Sequence, residues 1–433
     1  MNNFFFDNLN NKIKNNKLQI GIIGIGYVGI QLFINFCKKK INTIGFDRDL
    51  GKISKLKRGI SPFSYIENKK IKPLKNYGSY SSDFEDVKKC DVIIICLPTP
   101  VKKNTQPDLS VIENTIKKIK KFLKKGQLII LESTTYPGTT REKIAKELKN
   151  FKIGKDIFLS YSPERENPGS KMPFENVTKI SSGYSSYCSA LSGSVYRKIV
   201  KKVILANTLE EAEMTKLLEN IYRSVNIGLV NELKIISKAM NININNVIKL
   251  ASTKPFGFET FFPGPGIGGH CIPIDPYYLY WRAKKFGQTA KFIKLAGDIN
   301  LETTSWTIRN IVKILKKNKK KSRKSILILG AAYKKNIEDI RESAGVKILI
   351  QLRKKKHKVH FADPYVNYKD AEVKKIMGKT QQIRLNKKNT KKYDCVILVT
   401  DHDKFNYKMI TKYSKILIDT RNRIYRKNNF FRL

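Results

Sequence analysis

The run Gly24-Ile-Gly26-Tyr-Val-Gly29 limits what this chain can fold into more than any other segment, because of what flanks it. Residues 17–23 read as a short apolar strand, 30–40 predict a helix, and 41–46 predict a second strand ending at Asp47. Strand, glycine turn, helix and strand in that order make a dinucleotide-binding βαβ unit. Gly24 permits the tight turn, Gly26 lets a pyrophosphate approach the main chain at the helix N-terminus, and Gly29 allows helix and strand to pack closely. Asp47 stands where a carboxylate accepts hydrogen bonds from the adenosine ribose hydroxyls and repels a 2′-phosphate. NAD is therefore expected over NADP, with the adjacent Arg48 arguing the other way. Tyr27, Val28 and Lys52 are counted with the cofactor-binding residues.

Further apolar strands follow. Val92–Leu97 runs into Pro98-Thr99-Pro100, and Gln127–Leu131 runs into Glu132-Ser-Thr134-Thr-Tyr-Pro-Gly. Ligands of open α/β sheets lie beyond the carboxyl ends of strands, so Thr99 and Thr134 are expected cofactor contacts, although threonine at such places often only caps a turn. A strand over 156–160 delivers Ser162-Pro-Glu164-Arg-Glu166 to the same edge. From Thr208 to about Ala239 the apolar positions Met214, Leu217, Leu218, Ile221, Tyr222, Val225, Leu229, Leu233 and Ile236 follow helical spacing without a proline. Lys216, Asn220 and Arg223 share one strip of that helix, which by itself reads as an exposed polar face.

Beyond Lys324 strands are expected over 325–330, 357–363, 394–400 and 416–420, with a helix over 343–355. Gly330-Ala-Ala-Tyr333-Lys334 replaces the glycine fingerprint after the first of these, so this lobe should bind something other than a second dinucleotide. His357 and His360 would point to opposite faces of a short strand without a carboxylate or cysteine partner, and no metal site is assigned. The fold class is α/β, two Rossmann-like lobes joined by a helical middle domain built on a long central helix. The expected domains are residues 1–206, 207–318 and 319–433.

Composition bounds the function. A length of 433 residues suits two or three domains, and no apolar run is long enough for a membrane helix. The lead Met1–Lys17 carries Phe4-Phe-Phe6 in an Asn- and Lys-rich setting, without the apolar core or cleavage site of a secretory signal, and reads as a polar lead-in helix. Six cysteines without CxxC pairs fit a reducing, cytoplasmic setting. A net charge of +49 would normally raise nucleic-acid binding, yet the lysines are spread over most of the chain and no basic stretch is interleaved with aromatics. The excess reads as a compositional bias that also favours anionic ligands; no specific nucleic-acid partner and no membrane insertion are expected.

The segment Pro263-Gly-Pro-Gly266-Ile-Gly268-Gly269-His-Cys271-Ile-Pro-Ile-Asp275 sets a thiol directly after a glycine-rich loop, where a ligand can approach the main chain. Alone it also reads as a connector with a small buried cysteine. Together with Gly24–Gly29, Ser133–Thr140, Ser162–Gly169, Lys216–Asn220 and Arg341-Glu-Ser343 it resembles the UDP-glucose/UDP-mannuronate dehydrogenase family, in family order over nearly the whole chain. Ser162-Pro-Glu-Arg-Glu-Asn-Pro-Gly169 and Lys254-Pro-Phe-Gly-Phe258 are most similar to the UDP-N-acetylglucosamine 6-dehydrogenases of surface polysaccharide synthesis.

The resemblance implies oxidation of a sugar C6 alcohol to a carboxylate with two NAD. Cys271 matches the nucleophile that carries a thiohemiacetal and then a thioester. Lys216 matches a lysine that stabilises the oxyanion or relays protons, Asn220 a further donor, Asp275 and Glu164 carboxylates that orient or activate water, and Thr134 a residue holding that water. Arg165, Glu166, Lys216, Asn220, Arg223 and the Gly266, Gly268 and Gly269 backbone would meet the UDP-sugar, and Tyr333, Lys334 and Arg421 its uridine or diphosphate. Arg341 would reach the cofactor across a subunit interface of a homodimer or larger homo-oligomer. The other readings are the same chemistry on UDP-glucose or UDP-N-acetylmannosamine, a two-electron β-hydroxyacid dehydrogenase, and a basic nucleic-acid-binding protein.

Overall fold

A computed structural model of the chain describes residues 3–63, 65–102, 106–166, 172–269, 272–317, 322–424 and 429–433. It divides into two compact units: Met1–Glu219 with Tyr277–Thr289, and Asn220–Pro276 with Ala290–Leu433. The division falls inside the long helix Leu209–Ala239, which the apolar spacing predicts almost to the residue.

The first unit is built on one sheet. Its described strands are β1 (Gln19–Ile23), β2 (Asn42–Phe46), β3 (Gly78–Ser81), β4 (Val92–Ile95), β5 (Leu128–Leu131), β6 (Phe158–Tyr161), β7 (Lys179–Gly183) and β8 (Val203–Leu205). They lie in the order β3-β2-β1-β4-β5-β6-β7-β8. The first six give the doubly wound dinucleotide-binding arrangement, whose order reverses between β1 and β4. All pairs are parallel except β6 with β7, so the start of β7 lies at the edge where β1 to β6 end. Runs such as Val92–Ile95 and Leu128–Leu131 are buried throughout, as strands covered on both faces must be. The Asn-rich lead forms the helix Phe4–Lys14, capped by the Asn3 side chain, and it buries Leu9 and Ile13 in the same core.

The second unit carries β9 (Ser325–Leu329), β10 (Lys358–Ala362), β11 (Cys395–Leu398), β12 (Leu417–Asp419) and β13 (Phe430–Arg432), all parallel, in the order β10-β9-β11-β12-β13. Strand alternation splits its core in two. Ile326 and Ile328 face one cluster, which includes Ile311 and Leu315 of the helix Lys291–Lys317, and Leu327 and Leu329 face the other. Between the sheets in sequence, the helices Leu209–Ala239, Ile244–Ala251, Asp275–Lys285 and Lys291–Lys317 form the helical middle region.

The α/β expectation therefore holds, with four strands added. β3 (Gly-Ser-Tyr-Ser), β7 (Lys-Ile-Ser-Ser-Gly), β8 and β13 are short, and the first two lack a continuous apolar run. Among the described residues, no helix is long and apolar enough to cross a membrane.

Candidate active site

In the first unit the three fingerprint glycines have different surroundings. Gly24 has φ 95°, and a Cβ there would lie 2.6 Å from the Cys96 carbonyl oxygen. At Gly29 a Cβ would fall 2.1 Å from the Gly24 carbonyl, so helix and turn touch through backbone alone. Gly26 has nothing among the described residues within 4 Å of such a Cβ. That is open backbone at the start of the helix Gly29–Lys38, whose N-cap Val28 makes no side-chain capping bond, so the turn fits a dinucleotide pyrophosphate. Tyr27 stacks on Tyr65 with ring centres 5.6 Å apart. Asp47, just past β2, pairs with Lys52 at 2.6 Å and accepts from the Asp49 amide at 3.0 Å.

At the carboxyl ends of β4 and β5, Thr99 is buried with its carbonyl accepting from the Tyr278 hydroxyl at 2.6 Å, and Thr134 is half-buried. Ser133 Oγ accepts from the Leu97 amide at 2.9 Å and ties the two strand ends together. Glu164 is buried beyond β6, and its main-chain carbonyl accepts from the buried Lys216 ammonium. Its carboxylate accepts from the Glu166 amide and, at 3.4 Å, from Lys179. The Lys179 charge holds Glu164 below the ordinary carboxyl range against the opposing effect of burial. Burial first, then the neighbouring Glu164 charge, push Glu166 up to about 8. Arg165 donates to Glu219 at 2.8 Å and to the Thr178 carbonyl at 2.7 Å.

In the second unit Asn220 is fully buried; its amide donates to the buried Asp275 carboxylate, and its oxygen accepts from the exposed Arg223. The polar strip on the long helix is thus not an exposed face at Lys216 or Asn220: both are buried, and only Arg223 is open to solvent. The glycines of the loop at 264–269 serve close packing. A Cβ on Gly266, at φ 137°, would lie 1.9 Å from Thr304 Oγ1, and one on Gly268 or Gly269 would strike Tyr333 at 2.8 and 2.7 Å. Gly269 donates to the Arg341 carbonyl at 3.1 Å, while the Arg341 guanidinium pairs with Asp339 at 2.6 Å. Burial, then the Arg223 charge, lower the Lys334 ammonium's proton affinity. Arg421 is half-buried and donates to the Val399 carbonyl at 2.7 Å. Cys271, with His270, lies outside the described residues.

Three family descriptions match the chain in order: the NAD binding domain of the UDP-glucose/GDP-mannose dehydrogenase family over residues 18–200, its central domain over 210–302 and its UDP binding domain over 327–426. This chain belongs to that family. The UDP-N-acetyl-D-glucosamine 6-dehydrogenase of Pseudomonas aeruginosa is 33% identical over 414 residues, 93% of this chain and 96% of that protein. The UDP-N-acetyl-D-mannosamine dehydrogenase of Pyrococcus horikoshii is also 33% identical, over 94% of this chain and 96% of its own. A solved UDP-N-acetylmannosamine dehydrogenase structure from Pyrococcus horikoshii superposes with a TM-score of 0.85 at 32% identity, covering 96% of this chain and 99% of the other. The protein is an NAD-dependent nucleotide-sugar 6-dehydrogenase.

Sequence reasoning passed over Glu132, Lys179, Glu213, Lys234 and Asp363, all buried. One signal was available for Glu132, which stands directly after an apolar strand, where a carboxylate has to find a partner.

Proposed function

We propose that this dehydrogenase oxidises the C6 hydroxyl of UDP-N-acetylglucosamine to the uronate, releasing two NADH per sugar, for O-antigen or capsule precursor synthesis. When bound, NAD supplies the hydride acceptor at both oxidation steps. The Cys271 thiolate forms a C–S bond to the intermediate aldehyde, giving a thiohemiacetal that loses the second hydride and becomes a thioester. Water then breaks that C–S bond, leaving the carboxylate and the free thiol. Lys216 stabilises the negative oxygen, with Asn220 as a further donor; Glu164, Asp275 and Thr134 manage the water.

The observation that carries this reading is the buried Lys216 ammonium beside Glu164. A cation held away from solvent is costly unless negative charge develops near it. The sugar assignment is supported by the Pseudomonas aeruginosa relative and by the Ser162–Gly169 segment. The equally similar Pyrococcus horikoshii relative favours UDP-N-acetylmannosamine as a second reading. Exposed Leu229, Leu233 and Ile236 on the long helix, with Met240 just beyond it, support a homodimer, checked by light scattering, and a cytoplasmic setting follows from the reduced thiol that the chemistry needs.

The deciding experiment measures NADH at completion with limiting UDP-N-acetylglucosamine, UDP-N-acetylmannosamine or UDP-glucose. Two NADH from the first, with poor turnover of the others, is the expected result. One NADH per sugar, or full turnover by Cys271→Ser, overturns the thioester route.

A further inference from the structure

The strands β5, β6 and β7 bring three charged side chains to one buried point. Glu132 follows β5 directly, Glu164 lies just beyond β6, and Lys179 opens β7. Because β7 runs antiparallel to β6, its first residue returns to the edge where the parallel strands end. The Lys179 ammonium sits 2.9 Å from Glu132 Oε1 and 3.4 Å from Glu164 Oε2. The side chains of Glu132 and Lys179 are 0% and 3% exposed, and that of Glu164 is 12% exposed. Tyr196, at the end of the helix Ser186–Tyr196, donates its hydroxyl to Glu132 Oε1, while Glu132 Oε2 has no hydrogen-bond partner among the described residues.

One ammonium cannot neutralise two carboxylates away from water. Among the described residues, the titratable groups facing this point are Glu132, Glu164, Glu166, Lys179, Lys216, Tyr196 and Cys96, and Lys216, bound to the Glu164 carbonyl, adds its charge on the Glu164 side. The two carboxyls divide accordingly. Glu164 stays below its ordinary range, and burial pushes Glu132 up to about 7.

We propose that Lys179 is the positioning residue that keeps Glu164 ionised and aimed for its work on water, and that Glu132 carries the buried proton of the pair. The inference rests on the role given to Glu164 above. Lys179 acts through Glu164 and touches neither substrate nor cofactor. Glu132 takes up one proton from solvent as the pH falls through neutrality and returns it as the pH rises; no other bond changes. The carboxylates titrate as a coupled pair, in one step belonging mainly to Glu164 and a second, near neutrality, mainly to Glu132.

Four variants of the full-length enzyme test this. Lys179→Met is expected to move the acid limb of kcat upward by about one pH unit or more, with the KM for UDP-N-acetylglucosamine within about twofold. Lys179→Arg is expected to restore the limb. Glu132→Gln should leave the acid limb in place and remove, from difference infrared spectra of the enzyme without cofactor, a protonated-carboxyl band that disappears as the pH is raised through about 7. This infrared arm decides the matter if Lys179→Met does not fold. Glu164→Gln is the control: full two-NADH turnover by it would remove Glu164 from the proposed mechanism and the inference with it. Slow Glu164→Gln, combined with an unmoved acid limb in Lys179→Met or an unchanged infrared band in Glu132→Gln, would overturn the inference alone.

Discussion

The Glu213 carboxylate holds Thr140 by two bonds, accepting at Oε1 from its amide at 2.8 Å and from its hydroxyl at 2.7 Å. Its other oxygen accepts from the Gly138 amide at 2.5 Å, and the residue is fully buried. A side chain of the long helix thereby fixes the far end of the segment that follows β5 and carries Thr134. Glu213→Ala leaves three donors without an acceptor, each costing ~1 kcal/mol or more, so the unfolding free energy should fall by about 3 kcal/mol. Glu213→Gln, which keeps one acceptor oxygen, should lose less. Urea unfolding of the two variants checks the order, and equal stability in both would show that the carboxylate's bonds contribute little.

Gly26 and Gly29 should separate binding from folding. A methyl group at Gly26 meets none of the described residues, so Gly26→Ala should leave stability within about 0.5 kcal/mol while weakening NAD by about tenfold or more, because the pyrophosphate loses its approach. A methyl group at Gly29 meets the Gly24 carbonyl, so Gly29→Ala should destabilise the unit by about 2 kcal/mol or more. Calorimetric titration of NAD beside thermal unfolding distinguishes the two. Equal loss of stability in both variants would contradict the open surroundings of Gly26.

These two glycines mark how far the sequence could be read. Their order, the strands around them and the long helix are carried by local pattern, apolar runs with period 2 or 3.6 and glycines where turns require them. Burial of a polar side chain is a tertiary fact. Lys216 and Asn220 on an isolated helix look like any solvated strip, and only the elements packed on that strip show otherwise. Lys179 was missed for a second reason: its strand, Lys-Ile-Ser-Ser-Gly, has too few apolar residues to announce itself, and its antiparallel direction is set by pairing with β6. The roles assigned to Cys271 and Asp275 came from resemblance, since neither a lone thiol nor a lone carboxylate declares its chemistry.

Lys234 gives a prediction about pH. It is buried, donates to the Gly264 carbonyl at 2.7 Å, and lies 5.1 Å from the centre of the Trp306 ring. Burial first, then Arg421 and Lys238, lower its pKa from 10.5 to about 7. In that interval the unfolded chain binds the proton and the folded chain does not, so this residue makes stability rise with pH between about 7 and 10.5. Lys234→Met should remove that slope. It should also stabilise the protein at pH 7 by on the order of 2 kcal/mol, after allowing for the lost bond to Gly264. Chemical denaturation at several pH values measures the slope, and an unchanged slope would mean that Lys234 finds a counter-charge in solution.

Asp363 organises the first loop of the C-terminal sheet. Its Oδ2 accepts from the amides of Ala331 at 2.7 Å and Ala332 at 3.0 Å, and its Oδ1 from those of Tyr365 at 2.9 Å and Val366 at 3.1 Å. His402, fully buried, lies with Nε2 3.0 Å from Oδ2 while its Nδ1 accepts from the Asn336 amide at 2.9 Å, which assigns the ring proton to Nε2 as the donor to Asp363. With five donors on two oxygens, Asp363 stays ionised despite burial and holds the loop that carries Tyr333 and Lys334. In Asp363→Asn an NH2 group faces amide donors on one side, so that loop should loosen. If Tyr333 and Lys334 receive the nucleotide, UDP should bind about tenfold more weakly or worse, while NAD, bound by the other sheet, keeps its affinity. Titration calorimetry with UDP and with NAD separates the outcomes: a joint fall would mean general destabilisation, and unchanged UDP binding would detach this loop from nucleotide recognition.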